Sequence, residues 1–312
     1  MIQQGFLVGC NYPNTTSQLN GCVNDAVRTL DAIERFGFTA EECTLAVDVV
    51  PTTNTTAWKR ARRVQPTKTE IVAELERLAA LSQQHSGGKY WVCMSGHGMQ
   101  RSGYDVSDRL DEVFYTGDQN YICDTEFSLI LGKFHRDSVV FWLMDTCHSS
   151  TVLDLTEVTG RNIACTVLNV SGCTDTGVSA DSYDSYYKEA AGALTSCWLA
   201  QLRGVQPTDK IEVLFGKLET AMIANGYTQK PQLHLHSGAG SQYNHATSFL
   251  ALLQDTVSLR EDTAQAAKAV HFAEGVQPYE SWPHATLIAL GYALHAARYS
   301  FRYNNAMNIR RH

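Results

Sequence analysis

The sequence predicts an α/β fold in which a mainly parallel sheet carries helices on both faces. Apolar runs without alternation, such as Tyr90-Trp-Val-Cys-Met94 and Ser138-Val-Val-Phe-Trp-Leu-Met144, read as fully buried strands. Segments of helical spacing lie between such runs, so strands and helices alternate along the chain. Chemistry-bearing residues fall where strands end: Ser95-Gly96-His97-Gly98 follows one run and Asp145-Thr146-Cys147-His148 closes the other. Loops at the carboxyl ends of strands form the crevice of an open α/β sheet.

In chain order, Gly5-Phe-Leu-Val-Gly9 is the first strand. Val27, Leu30 and Ile33 recur at helical spacing, which predicts a helix from Asn24 to Phe36 ended by Gly37. Thr44 to Val50 reads as the second strand and Pro51 to Pro66 as a polar, basic loop. Thr67-Lys-Thr-Glu70 is a capping box for a helix running to about Gln84, with Gly87-Gly88 beyond its end. The His97 strand follows, then a long Asp-rich loop from Met99 to Asp124, a helix from Thr125 to Lys133, and the Cys147 strand. Ile163 to Val170 is a fifth strand, 184–203 and 209–225 are helices, and Pro231-Gln-Leu-His-Leu-His236 is a sixth strand. Beyond Gly238 the character changes: 243–270 and 284–308 are helix-rich. The organisation expected is a catalytic domain over 1–240 (large-subunit-like 1–160, small-subunit-like 161–240) and a helical extension over 241–312 packed on the core.

Bulk properties narrow the class. The 312 residues are 44% hydrophobic and 18% charged, which suits a globular protein with a sizeable core. A net charge of −7 without long charge runs disfavours a nucleic-acid partner. The basic cluster Lys59-Arg60-Ala61-Arg62-Arg63 reads as a solvated loop and a site open to self-cleavage, as does the neighbourhood of Lys188. No segment has the length and apolarity of a membrane span, and Met1-Ile-Gln-Gln-Gly5 lacks a signal-peptide n-region. Nine cysteines, an odd number without repeated spacing, point to a reduced, cytoplasmic location.

A Cys after an apolar strand is most often a small buried hydrophobe. Here a His at a second strand end and an acid two residues before the Cys point to nucleophilic catalysis, with Cys147 as nucleophile and His97 as base and later acid. Gly98 N–H and Cys147 N–H are the candidate oxyanion donors. Asp25 and Asp145, near the same crevice, would together bind a guanidinium or ammonium ahead of the scissile bond. Asp25 read alone is an N-cap for the helix that follows. His234 and His236 alternate on one strand face, without a third ligand that would make a zinc site.

The two strand ends and three further motifs carry a family resemblance. The strand ends Ser95-Gly96-His97-Gly98 and Asp145-Thr146-Cys147-His148-Ser149, the segment Gly21-Cys22-Val23-Asn24-Asp25, the stretch Ser171-Gly172-Cys173, and Gly192-Ala193-Leu194-Thr195 resemble the metacaspases, within the caspase-like clan of cysteine proteases. The resemblance runs from about Gly5 to about Gly238. It implies a caspase-like three-layer sandwich and a cysteine endopeptidase cleaving after Arg or Lys, with protein or peptide substrates and a monomeric chain. It also implies that Cys22 and Ser95 line the pocket of Asp25 and Asp145, and that calcium activates through aspartates, which match Asp111, Asp124 and Asp154. The family's further Asp is Thr125 here, so one charged ligand is missing. Two rivals stand beside this reading: a catalytically silent caspase-like scaffold, and a legumain-like or separase-like clan member with another cleavage preference.

Overall fold

The computed structural model describes residues 2–52, 55–102, 110–146, 162–173, 181–184, 189–238, 241 and 243–253. The chain divides into two units, Met1–Thr247 and Ser248–His312. In the second, the described residues include one short helix, Phe249–Leu253.

The first unit is built on a seven-stranded sheet. Its strands are β1 (Gln3–Gly9), β2 (Cys43–Val47), β3 (Arg62–Val64), β4 (Lys89–Ser95), β8 (Val139–Asp145), β9 (Thr166–Cys173) and β12 (Lys230–His236), in the spatial order β12-β9-β8-β4-β1-β2-β3. All neighbours are parallel except β12, which runs antiparallel to β9 at one edge. The helices are α1 (Cys22–Ile33), α2 (Lys68–Gln84), α3 (Asp124–Leu131), α4 (Ala193–Arg203) and α5 (Ile211–Ala224).

Period-two alternation sends successive side chains to opposite faces of the sheet. Phe6, Val8, Tyr90, Val92, Met94, Val140, Trp142 and Met144 form one core with Ile71, Leu75 and Leu78 of α2 and Phe127, Ile130 and Leu131 of α3. On the opposite face Trp91 packs on Phe36, Phe38 and Phe141, and Phe141 stacks on Trp198 of α4 at 5.6 Å. Both faces are therefore covered, which is why these strands read as continuous apolar runs. The three-layer α/β expectation holds.

Four local readings are corrected. The segment read as a loop from Met99 to Asp124 carries a second sheet of three antiparallel strands: β5 (Gly98–Ser102), β6 (Leu110–Tyr115) and β7 (Tyr121–Cys123). Its Asp-rich composition hid Val113, Phe114 and Ile122, which the fold buries. The basic loop contains β3, an edge strand paired to β2. Its charges suit an edge, and Arg62 pairs with the buried Glu74 of α2. The second strand stops at Val47, and Asp48 turns its carboxylate to other work. The helix expected from 184 begins only at Ala193, preceded by the hairpin β10 (Asp181–Asp184) and β11 (Glu189–Gly192).

Candidate active site

β1 continues into β2 and β3 on one side, whereas β4, beside β1 on the other, leads to β8 and β9. The carboxyl ends of β1 and β4 thus flank the topological switch point, where α/β folds form their crevice. Register puts Gly9 beside Ser95 and Ser95 beside Asp145. The first turn of α1 then brings Cys22 and Asp25 to the same edge.

Asp25, Ser95, Asp145 and Cys22 do converge. Asp25 is fully buried and Asp145 is 3% exposed. The Ser95 hydroxyl donates to Asp25 Oδ2 at 2.8 Å, and Gly192 N–H donates to both oxygens of Asp25, at 3.0 and 2.9 Å. Thr195 donates its N–H and its hydroxyl to Asp145 Oδ2, each at 2.8 Å. Thr195 lies in the first turn of α4, so the carboxylate satisfies an otherwise open N–H at the positive end of a helix. A methyl placed on Gly192 would stand 2.7 Å from Asp25 Oδ2 and closer still to Asp145 Oδ2. The two acids are thus separated by little more than the bare Gly192 backbone. Burial, and after it the charge of Asp145, pushes the Asp25 carboxyl well up, against the pull of Ser95, Arg28 and Gly192. Burial likewise raises Asp145, opposed by Thr195 and Gln229. The Cys22 thiol is pushed up by burial and by Asp25.

Asp25 is not an N-cap. Its own N–H bonds Gly21 O, and Gly21 is the capping position. Asn24 Nδ2 and Arg28 Nη2 both donate to Ala190 O, at 3.0 and 3.3 Å, which fastens β11 against α1 and holds Gly192 over Asp25.

His97 follows β4 by two residues and Gly98 opens β5. The His97 ring is part-exposed, stacks on Tyr12 with centroids 4.9 Å apart, and places Nε2 at 2.7 Å from Ser17 O. A carbonyl oxygen only accepts, so Nε2 is the protonated nitrogen in this contact, and in the neutral imidazole that tautomer has its lone pair on Nδ1. Cys147 lies outside the described residues, as do His148 and Asp154.

Asp124, at the start of α3, accepts from Glu112 N at 3.2 Å and from Thr125 N at 2.6 Å. Its carboxylate therefore lies against β6 one residue from Asp111, whose side chain is outside the described residues. These are hard oxygen donors of the kind calcium takes, and Thr125 adds a hydroxyl 3.4 Å from Asp124 Oδ1. Among the described residues, no group of three or more His, Cys, Asp or Glu is disposed around one point for a metal.

Gly192, Thr195, Ser17, Tyr12 and Asp48 carried no assigned role in the sequence reading. For Gly192 and Thr195 the signal was their place in the Gly192-Ala193-Leu194-Thr195 motif; for the other three there was none.

An α/β sheet presenting a histidine and two buried acids at its switch point defines the class by fold and site. Residues 3–156 match the family described as "Metacaspase, peptidase C14 domain". The chain is 27% identical over 259 residues to Metacaspase-5 of Trypanosoma brucei brucei, covering 74% of this chain and 50% of that protein. It is 30% identical over 164 residues to Metacaspase-9 of Arabidopsis thaliana, covering 49% of this chain and 47% of that one. The crystal structure of protein GSU0716 from Geobacter sulfurreducens shares the fold, with a TM-score of 0.53 at 20% identity over 80% of this chain and all of that one. On these matches residues 3–156 are of the metacaspase peptidase C14 type, and the similarity to curated metacaspases extends over 74% of the chain. The chain spans about half the length of these two curated relatives.

Proposed function

We propose that the chain is a cysteine endopeptidase that cleaves after Arg or Lys. The observation that carries the reading is the pair Asp25 and Asp145, buried together at the carboxyl ends of the strands that lead to His97 and Cys147. Their hydrogen bonds come from the neutral donors Ser95, Gly192, Thr195 and Gln229, and the charge of Arg28 acts on Asp25 beside them. A guanidinium or ammonium brought between them would relieve their mutual repulsion and form charge-assisted hydrogen bonds. An aspartate side chain would add a third negative charge.

Ser95 and Asp145 are register partners, and His97 and Cys147 each follow their partner by two residues. In the proposed reaction Nδ1 of His97 takes the Cys147 proton and the thiolate attacks the scissile carbonyl. Gly98 N–H and Cys147 N–H would receive the oxyanion. As the C–N bond breaks, His97 returns the proton to the leaving amine, and water then hydrolyses the thioester. When bound, calcium would supply a fixed positive charge; Asp111, Asp124 and Asp154 would hold it. The described cysteines, Cys10, Cys22, Cys43, Cys93, Cys123, Cys165 and Cys197, are free thiols, which favours a reducing, cytoplasmic setting. Among the described residues no helix is long and apolar enough to cross a membrane. The working unit in this proposal is a monomer.

The deciding experiment compares peptides that differ only in Arg, Lys or Asp at the cleavage position, with and without calcium, using Cys147→Ala as control. Turnover of Arg and Lys peptides but not the Asp peptide, lost in the control, is the expected result. Efficient Asp cleavage would overturn the specificity, and equal turnover by Cys147→Ala would overturn the nucleophile.

A further inference from the structure

We propose that Tyr12 and Asp48 are positioning residues for His97, holding its backbone and ring where the imidazole serves as base; this rests on the reading of His97 given above. Tyr12 has φ +51°, in the left-handed region that bulky side chains rarely occupy. Such a conformation persists only where the surroundings over-determine it. They do so here from three directions. Asp48, just past the end of β2, accepts Asn11 N–H at Oδ1 (2.9 Å) and Tyr12 N–H at Oδ2 (2.7 Å). Tyr12 O accepts from the Thr15 hydroxyl at 2.8 Å. Asn11 accepts Leu19 N–H at its carbonyl (2.8 Å) and Val23 N–H at its side chain (3.1 Å), which ties the loop to α1.

The side chain of Tyr12 explains what this conformation is for. Its hydroxyl donates to Tyr115 O and accepts from His97 N–H, both at 2.8 Å, while its ring lies under the imidazole. The same loop supplies Ser17 O to His97 Nε2. Backbone, ring face and protonated nitrogen of His97 are thus all held from one loop, and within that loop the Asp48 carboxylate takes two successive N–H groups. Gly96 fits the scheme: a Cβ there would meet the Tyr12 hydroxyl at 2.6 Å, so the bare backbone is what admits the tether. Neither Tyr12 nor Asp48 is among the groups that hydrogen-bond Asp25 or Asp145, so their effect should fall on proton transfer and spare substrate binding.

The test uses the full chain with Tyr12→Phe, which keeps the ring and removes the hydroxyl, and Asp48→Asn, which replaces one of two acceptors by a donor. With an Arg peptide, kcat should fall on the order of 10–10²-fold, the scale of a sub-ångström to 1 Å misplacement, while KM stays within about twofold. In parallel, the ring nitrogens of His97 are followed by 15N NMR in the Cys147→Ala background, which needs no turnover. The unmodified loop should give the Nε2–H tautomer, and both variants should draw the two nitrogen resonances toward each other as the second tautomer gains population. Unchanged kcat with unchanged resonances would overturn the proposal, as would a rise in KM alone. Should the wild type hydrolyse no peptide, the peptidase reading fails, and the NMR comparison still decides the tether by itself. Should Tyr12→Phe fail to fold, Asp48→Asn decides it in the same two measurements.

Discussion

Replacing Gly192 by Ala tests the acidic pair by geometry alone. The Gly192 backbone, with φ −71° and ψ 141°, is one that any residue adopts, so the substitution introduces no backbone strain. What it introduces is a methyl 2.7 Å from Asp25 Oδ2, and nearer still to Asp145 Oδ2. An ordinary carbon–oxygen contact is about 3.3 Å, so Asp25 must recede by roughly 0.6 Å and Asp145 by more. Neither moves freely. Asp25 Oδ2 holds the Ser95 hydroxyl at 2.8 Å, and Asp145 Oδ2 holds two donors of Thr195 at 2.8 Å. Overpacking of this kind costs about 1–3 kcal/mol of stability. A misplacement approaching 1 Å at a substrate-positioning group costs up to about 10²-fold in rate. Urea unfolding reads the first, and kcat/KM on an Arg peptide reads the second. A variant within about 0.5 kcal/mol of wild-type stability and within about threefold of its kcat/KM would refute the claim that Gly192 sits between the carboxylates.

Other expectations follow from the same site. Cys147→Ala and His97→Ala should each lower turnover by about 10³-fold or more with the fold retained, checked by circular dichroism and single-turnover assay. Asp145→Ala should raise the barrier for Arg and Lys peptides by about 2–5 kcal/mol, read as kcat/KM, since it leaves a desolvated substrate cation with one partner. Asp25→Asn should separate stability from function. The fold raises the Asp25 and Asp145 carboxyls, so folded acids hold protons that unfolding releases, and their contribution to stability is lost as pH rises through that raised range. Thermal unfolding across pH should therefore show Asp25→Asn gaining on the wild type as pH rises to neutral, while Arg-peptide hydrolysis is lost. Subtracting the two curves removes carboxyls such as Glu74 that the fold shifts the other way. A constant difference between the curves would contradict the assignment. Calcium should stimulate activity with half-activation of about 10⁻⁴–10⁻³ M, and Thr125→Asp should tighten it; a titration unaffected by a chelator would count against the aspartate set.

What was legible in the sequence follows from how each element earns its place. The central residues of β1, β4 and β8 are buried on both faces, so they had to be apolar and announced themselves as runs. α2 announced itself through Thr67, whose side chain does accept the Glu70 N–H. β3, β6 and β11 were hidden because their reasons for existing are not local. β3 has three residues and owes its place to β2 on one side and to the Glu74 carboxylate for Arg62. β11 is held by Asn24 and Arg28, more than 160 residues earlier. The helical propensity of Glu189-Ala190-Ala191 pointed the wrong way because tertiary pairing overrode it.

The candidate site divides along the same line. Asp25 and Asp145 could be paired from the sequence because each lies beside a strand end, and strand ends of a parallel sheet share one edge. Of their neutral partners Ser95 could be found that way, but Gly192 and Thr195 could not, since they arrive from the other half of the chain and act mainly through backbone N–H groups, which every residue type but proline offers. The same applies to Ser17, which bonds His97 through a carbonyl. Side-chain chemistry at this site was therefore readable, and its backbone support was not. That asymmetry bears on the acids themselves. A pair buried this deeply is costly to keep ionised, and the fold opposes that cost with neutral donors and, at Asp25, with the charge of Arg28. Under the proposed function a substrate cation would bring the remaining positive charge, which would tie occupancy of the pocket to the charge of the side chain that enters it.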